Sequence, residues 1–126
     1  MAGQLPPEEH YQDARRKVPH HLLSPTQFVV HEEIVNDKIW DIHKKGERPR
    51  VYVTPHRNGR YTIDDGHHTA AAYEALGQKV PVSVYNKVEE NDPSYDWDDL
   101  HHVYDDEPIM HPKVGETGWH YSGWPY

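Results

Sequence analysis

The chain has 126 residues, enough for one domain with a single modest core, yet only 35% are hydrophobic and the mean hydropathy is −1.01. Its formal net charge of −8 opposes strong DNA binding, which depends on neutralising phosphates with Lys and Arg, and no run approaches the ~20 apolar residues of a membrane span. The absence of cysteine excludes a disulfide framework, a thiolate metal site and a thiol nucleophile, and the opening MAGQLPPEEH has no apolar signal-peptide core, so a cytoplasmic protein is expected.

Residues 1–21 are polar, contain Arg15, Arg16 and Lys17, and read as an N-terminal arm in which Pro6, Pro7 and Pro19 discourage a long helix. Leu22-Leu23 then leads into Ser24-Pro25-Thr26-Gln27, which has the form of a strand end followed by a capped turn, since Ser-x-x-Gln with Pro second resembles a helix start. A helix is predicted over about 31–45, because Val35, Ile39 and Ile42 recur at i, i+4, i+7 beside Ile34. Glu32 and Glu33 suit its first turn, Lys44 and Lys45 its last, and Gly46 its C′ position. Val51 and Val53 alternate with polar neighbours, Asn58-Gly59 signals a hairpin, and Tyr61 and Ile63 share a face of the returning strand. A second helix is predicted from about His67 to Leu76, stopped by Gly77, followed by a strand carrying Val80, Val82 and Val84. These elements form a core unit, residues 22–86. Beyond it lies an acidic, aromatic extension, 87–126. Residues 86–107 hold nine Asp or Glu against one Lys. Ser94 is placed to cap a helix near 95–105 with Trp97, Leu100 and Tyr104 on one side, and the end carries Trp119, Tyr121, Trp124 and Tyr126 among Pro and Gly.

The densest chemistry lies at residues 61–76, YTIDDGHHTAAAYEAL. A strand that enters a helix through an Asp-Gly-His-His turn offers unpaired backbone N–H groups and a positive dipole end, which suits a phosphate. Asp65 could hold a divalent metal or act as a general base, and equally could cap the helix. Gly66 supplies a backbone conformation or close approach that a side chain would forbid. Of the adjacent His67 and His68, one could bind phosphate or metal while the other packs beneath the helix. Thr69 could touch phosphate or be an ordinary first-turn residue. Asp64 and Asp65, as neighbours in a strand, are expected to point to opposite sides. Arg48, Arg50, Arg57 and Arg60, within thirteen residues, could neutralise phosphate or line a solvated edge. Glu47, in the loop before the hairpin, is a further carboxylate for metal or base work. His20-His21 and His101-His102 lack a ligand spacing of the His-Glu-x-x-His kind.

The segment Leu22 to Tyr85 resembles the ParB/sulfiredoxin-like superfamily, through the LSPTQ segment (Leu23 to Gln27), DDGHHTAAAYEALG (Asp64 to Gly77) and VPVSVY (Val80 to Tyr85). The resemblance covers about half of the chain and implies an α+β fold, a small mixed sheet with packed helices. Members include partition proteins that bind and hydrolyse CTP, sulfiredoxins that use ATP, small-molecule kinases and ParB-like nuclease domains, many from phages and plasmids. It therefore implies ATP or CTP as ligand, with its phosphates at Gly66, His67, His68 and Thr69 and with Arg48 and Arg60 as cationic partners. The resemblance does not select the reaction. With a nucleotide at the turn, Mg²⁺ is expected at Asp65, with Glu47 as a further candidate, and Asp65, His67 and His68 are the expected catalytic residues for phosphoryl transfer or hydrolysis, by an NTPase or a nuclease. Two departures stand out. Thr69 occupies a position where many relatives carry a phosphate-contacting Arg, and the missing cysteine excludes sulfinic-acid repair. No helix-turn-helix region of the partition-protein kind follows, so centromere binding is not expected. The competing reading is a non-catalytic phage or plasmid protein whose acidic, Trp-rich C-terminal region binds a basic host or phage partner or mimics DNA, while the C-terminal tryptophans could equally dock on the domain itself or pair with a second copy.

Overall fold

Alternation sets the sheet. Val51, Val53, Ile63, Val80 and Val82 are all fully buried, and the strand residues between Val51 and Ile63 that alternate with them are only half-covered. In the computed structural model, which describes residues 10–104, the strands are β1 (Tyr11–Val18), β2 (Leu23–Ser24), β3 (Val29–His31), β4 (Val51–Pro55), β5 (Tyr61–Asp65), β6 (Val80–Tyr85) and β7 (His101–Val103). Two α-helices lie among the described residues, α1 (Glu32–His43) and α2 (His67–Ala75). The result is a mixed α+β architecture. Five strands form one sheet in the order β1-β6-β4-β5-β2, and β3 pairs with β7 in a second, two-stranded sheet. The larger sheet is mixed: β4 runs antiparallel to β5 and parallel to β6.

One face of this sheet carries the core. Val35 and Ile42 of α1 and Ala70 to Tyr73 of α2 pack with the strand valines, and the three alanines let α2 lie close to the sheet. The Asn58-Gly59 hairpin is present, with Gly59 at φ 92° and the His56 N–H donating to the Arg60 carbonyl at 2.8 Å. Among the described residues no helix is long and apolar enough to cross a membrane.

Two predicted segments differ. The segment read as a polar arm contains β1, an edge strand paired antiparallel with β6. Its pattern is illegible because a wide bulge interrupts it: Asp13 faces Ser83 and Lys17 faces Pro81, so three residues, 14–16, stand against Val82 alone. Arg50 fills the bulge. Its Nη1 donates to the carbonyls of Ala14 (3.2 Å) and Val82 (2.7 Å), and its Nε lies 3.3 Å from Asp13. The strand end expected at Leu22-Leu23 is β2, and Ser24-Pro25-Thr26-Gln27 turns the chain without continuing into a helix. It bends the chain from β2, which runs parallel to β5, into β3.

Over 95–104, the described part of the segment predicted as a helix, no α-helix forms. A single 3-10 turn, Trp97–Asp99, is closed by a capping box between Asp96 and Asp99, and β7 follows, parallel to β3. Burying Trp97 and Leu100 against the core fixes the chain there, and the acids cap one turn instead of starting a long helix. The acidic segment is also tied to the hairpin. Glu89 exchanges backbone hydrogen bonds with Pro55 and Arg57, and Arg57 forms a bidentate pair with Glu90 (2.6 and 2.7 Å). Trp119, Tyr121, Trp124 and Tyr126 lie outside the described residues.

Candidate functional site

β5 passes into α2 through one residue, Gly66, at φ 111°, ψ 29°. A Cβ there would sit 3.3 Å from Cα and both methyl groups of Val51, so backbone conformation and space both demand glycine. The first helical hydrogen bond runs from the Ala70 N–H to the Gly66 carbonyl (2.8 Å). No side chain caps the helix, and His67, His68 and Thr69 in its first turn are all buried. Asp65 is exposed and does not cap, which removes the structural alternative for that carboxylate.

The two imidazoles turn into the fold. His67 Nε2 accepts the N–H of Thr26 (2.9 Å), and His68 Nε2 accepts the N–H of His31 (3.1 Å). An Nε2 that accepts is unprotonated, so in each neutral ring the proton sits on Nδ1. Burial, reinforced by the neighbouring His68, depresses His67 to about 3. Burial, with His31, Lys38 and His102 adding like charge, depresses His68 to about 4. Both Nε2 lone pairs are thus committed to main-chain donors, and neither is available to a metal or as a base. Instead the pair holds the 26–31 segment across the start of α2, helped by Thr26 Oγ1 donating to the Ile63 carbonyl (2.8 Å).

The arginines do not gather at the turn. Arg48 Nη1 donates to the carbonyls of Ile42 (2.9 Å) and Glu47 (2.7 Å) and so closes the end of α1. Arg60 binds Asp96 (3.1 Å) and the Tyr95 carbonyl (3.0 Å). Arg50 and Arg57 serve the bulge and the hairpin. Glu47 is exposed, and its N–H donates to the Asp41 carbonyl (3.0 Å). Among the described residues no three His, Asp or Glu side chains form a group that could hold a metal. His20 Nε2 bonds the Ala70 carbonyl (2.9 Å) and His102 pairs with Glu32, so neither histidine doublet is a ligand set.

Two features escaped the sequence. Lys38, three residues after Val35 and four before Ile42, lies on the α1 face that packs on α2, and its charge reaches His68. It adds positive charge near His68, and helical period alone could have found it. The second is Asp64. Val53 faces Ile63 and Tyr52 faces Asp65, so Asp64 is the extra residue of a β-bulge, and both carboxylates share the face of Tyr52 rather than pointing apart. Asp64 Oδ2 accepts from Thr54 Oγ1 (2.6 Å) and Tyr11 Oη (2.9 Å). Burial nevertheless raises its carboxyl above the usual range, and burial together with Asp64 raises the Tyr11 phenol. No protein-family model matches the chain, and no curated protein matches it.

Proposed function

We propose that this chain is a ParB/sulfiredoxin-like domain that binds the phosphates of a nucleotide, ATP or CTP, at the first turn of α2. The observation that carries the reading is the buried, uncapped start of α2 behind the left-handed Gly66. N–H groups at a helix start need a partner, and the dipole there favours an anion. The order helix, hairpin, helix, strand over 32–85 also fits the superfamily whose members bind nucleotides at this turn. Asp65, exposed beside the turn, is the carboxylate open to a Mg²⁺ ion, which typically takes one or two carboxylates along with substrate phosphates.

Charge sets the strength. With Thr69 in place of an Arg and all four arginines engaged elsewhere, the positive field comes from the helix start and Lys38. A helix-dipole interaction contributes about 0.3–1 kcal/mol at the surface and up to about 2 kcal/mol where partly buried, so modest binding is expected. With both Nε2 atoms bound to main-chain N–H groups, the imidazoles act as positioning residues, and binding is favoured over turnover. The test is a thermal-shift series with ATP, CTP and pyrophosphate, with and without Mg²⁺. Ligand at ten times Kd should add about 1.4 kcal/mol, several degrees in Tm, and Asp65→Ala should abolish the Mg²⁺-dependent part. No shift with any of the three at millimolar concentration would sink the reading.

A further inference from the structure

The outward side of α1 carries a tryptophan side chain that the core does not use. Val35, Ile39 and Ile42 turn one side of the helix into the core. On the opposite side Glu33, Asp37, Trp40 and Lys44 recur at i, i+4, i+7 and i+11, so they line up as one stripe, and all four are exposed. Trp40, 57% exposed, is the most exposed large hydrophobic side chain among the described residues. A lone apolar residue is ordinary on a surface. What singles out Trp40 is the order of the charges around it. Glu33 and Asp37 precede it, toward the N-terminal end of α1, and Lys44 follows it at the C-terminal end, each sign matching the helix dipole. Asp41 already pairs with Lys45 inside the helix (3.4 Å), whereas among the described residues neither Asp37 nor Lys44 has an ion-pair partner.

Turned end for end, this stripe is complementary to itself. With Trp40 against Trp40, Asp37 of each copy meets Lys44 of the other, so the opposite-charge contact is made twice. The two helix dipoles then run antiparallel, which is also favourable. A partner of uniform charge, acidic or basic, would meet one half of the stripe with its own sign, and a purely apolar one would desolvate Asp37 and Lys44 without pairing them. Tryptophan at the centre of an interface is a common anchor. We propose that α1 packs antiparallel on α1 of a second copy through this stripe, giving a two-fold dimer centred on Trp40. One pair of twelve-residue helices is a small contact. Stable interfaces bury roughly 1,200–2,000 Å², so the dimer is weak and reversible. The inference does not rest on the phosphate reading, since it uses the side of α1 opposite Val35 and Ile42.

The experiment is sedimentation equilibrium of the full chain, paired with ¹H–¹⁵N NMR over the same concentration range. A reversible monomer–dimer equilibrium is expected, with concentration-dependent amide shifts at Glu33, Asp37, Trp40 and Lys44. Trp40→Ala should weaken association roughly tenfold or more, as truncation of a central interface tryptophan does. Asp37→Lys and Lys44→Asp should each abolish it, because each sets two like-charge pairs across the two-fold axis. Mixed in equal amounts, those two variants should form a heterodimer, because every cross-pair is again opposite in sign. A monomer at millimolar concentration, dimerisation unchanged in Trp40→Ala, shifts confined to residues outside α1, or no heterodimer from the mixed variants would overturn the proposal. Should Trp40→Ala lose its dispersed spectrum, Trp40→Gln takes its place, with the same weakening expected.

Discussion

Gly66 shows how one residue can set a site. Its φ of 111° places it where an L side chain is strained, and Val51 fills the space that a Cβ would need. Gly46 and Gly59 share the positive φ but face open space. Gly66→Ala should therefore cost about 2 kcal/mol or more, the left-handed penalty of about 1–2 kcal/mol plus crowding, while Gly59→Ala carries the conformational term alone. Urea unfolding of the two variants checks this, and equal losses would mean that Val51 yields without cost. At this scale the sequence was informative about type and less so about orientation. Asp-Gly before an Ala-rich run announces a helix entry, but only the bulge determines that Asp64 and Asp65 lie on one face. A bulge depends on the partner strand, and Asp64 itself carries no mark of it.

At the scale of elements, the connection between α2 and β3 governs behaviour in acid. His67 and His68 each hold a main-chain N–H of the 26–31 segment, and both are depressed from the ordinary 6.5, to about 3 and about 4. Above 6.5 neither the folded nor the unfolded chain protonates them. Below it the unfolded chain takes up protons that the native state refuses, so stability falls with pH. The loss should be about 1.4 kcal/mol per pH unit for each imidazole until His68 titrates near 4 and His67 near 3. Urea unfolding at pH 7, 6 and 5 measures the slope, and His67→Gln should roughly halve it. A flat profile would show that the native rings protonate freely. The helices, the hairpin and β6 were legible in the sequence because each repeats its own local period. β1 and β7 were not, since a bulge breaks the first and the second is three residues long.

The whole molecule does not end where the recognisable pattern ends. Residues 22–86 hold the helix–hairpin–helix–strand order, but the core also includes Val18 from β1 and Trp97 and Leu100 from the acidic segment. Trp97 Nε1 donates to Glu74 of α2 (2.7 Å), and the Ser24 hydroxyl donates to the Tyr95 carbonyl. Burying a large apolar side chain contributes roughly 1.5–3 kcal/mol, and domains are stable by only about 5–15 kcal/mol. A fragment spanning 22–86 should therefore lack a cooperative urea transition by circular dichroism, while one spanning 10–104 retains it. A cooperative 22–86 fragment would refute this account of the core. The acids of 86–104 accordingly belong partly to the fold: the Glu90, Asp96 and Asp99 carboxylates have partners within it, and Glu89 is bonded there through its main chain.

By itself the sequence determined the α+β class, the two helices, the Asn-Gly hairpin and the glycine-hinged entry into α2, because each follows from local period, turn chemistry or charge. Tertiary structure decided which groups face that entry. It turned both imidazoles onto backbone donors, drew four arginines to other tasks, set Lys38 beside His68 and gathered Tyr11, Thr54 and Asp64 on the far face of the sheet. Those outcomes depend on strand order and on a bulge, which arise from pairing between distant segments and not from any one segment's residues.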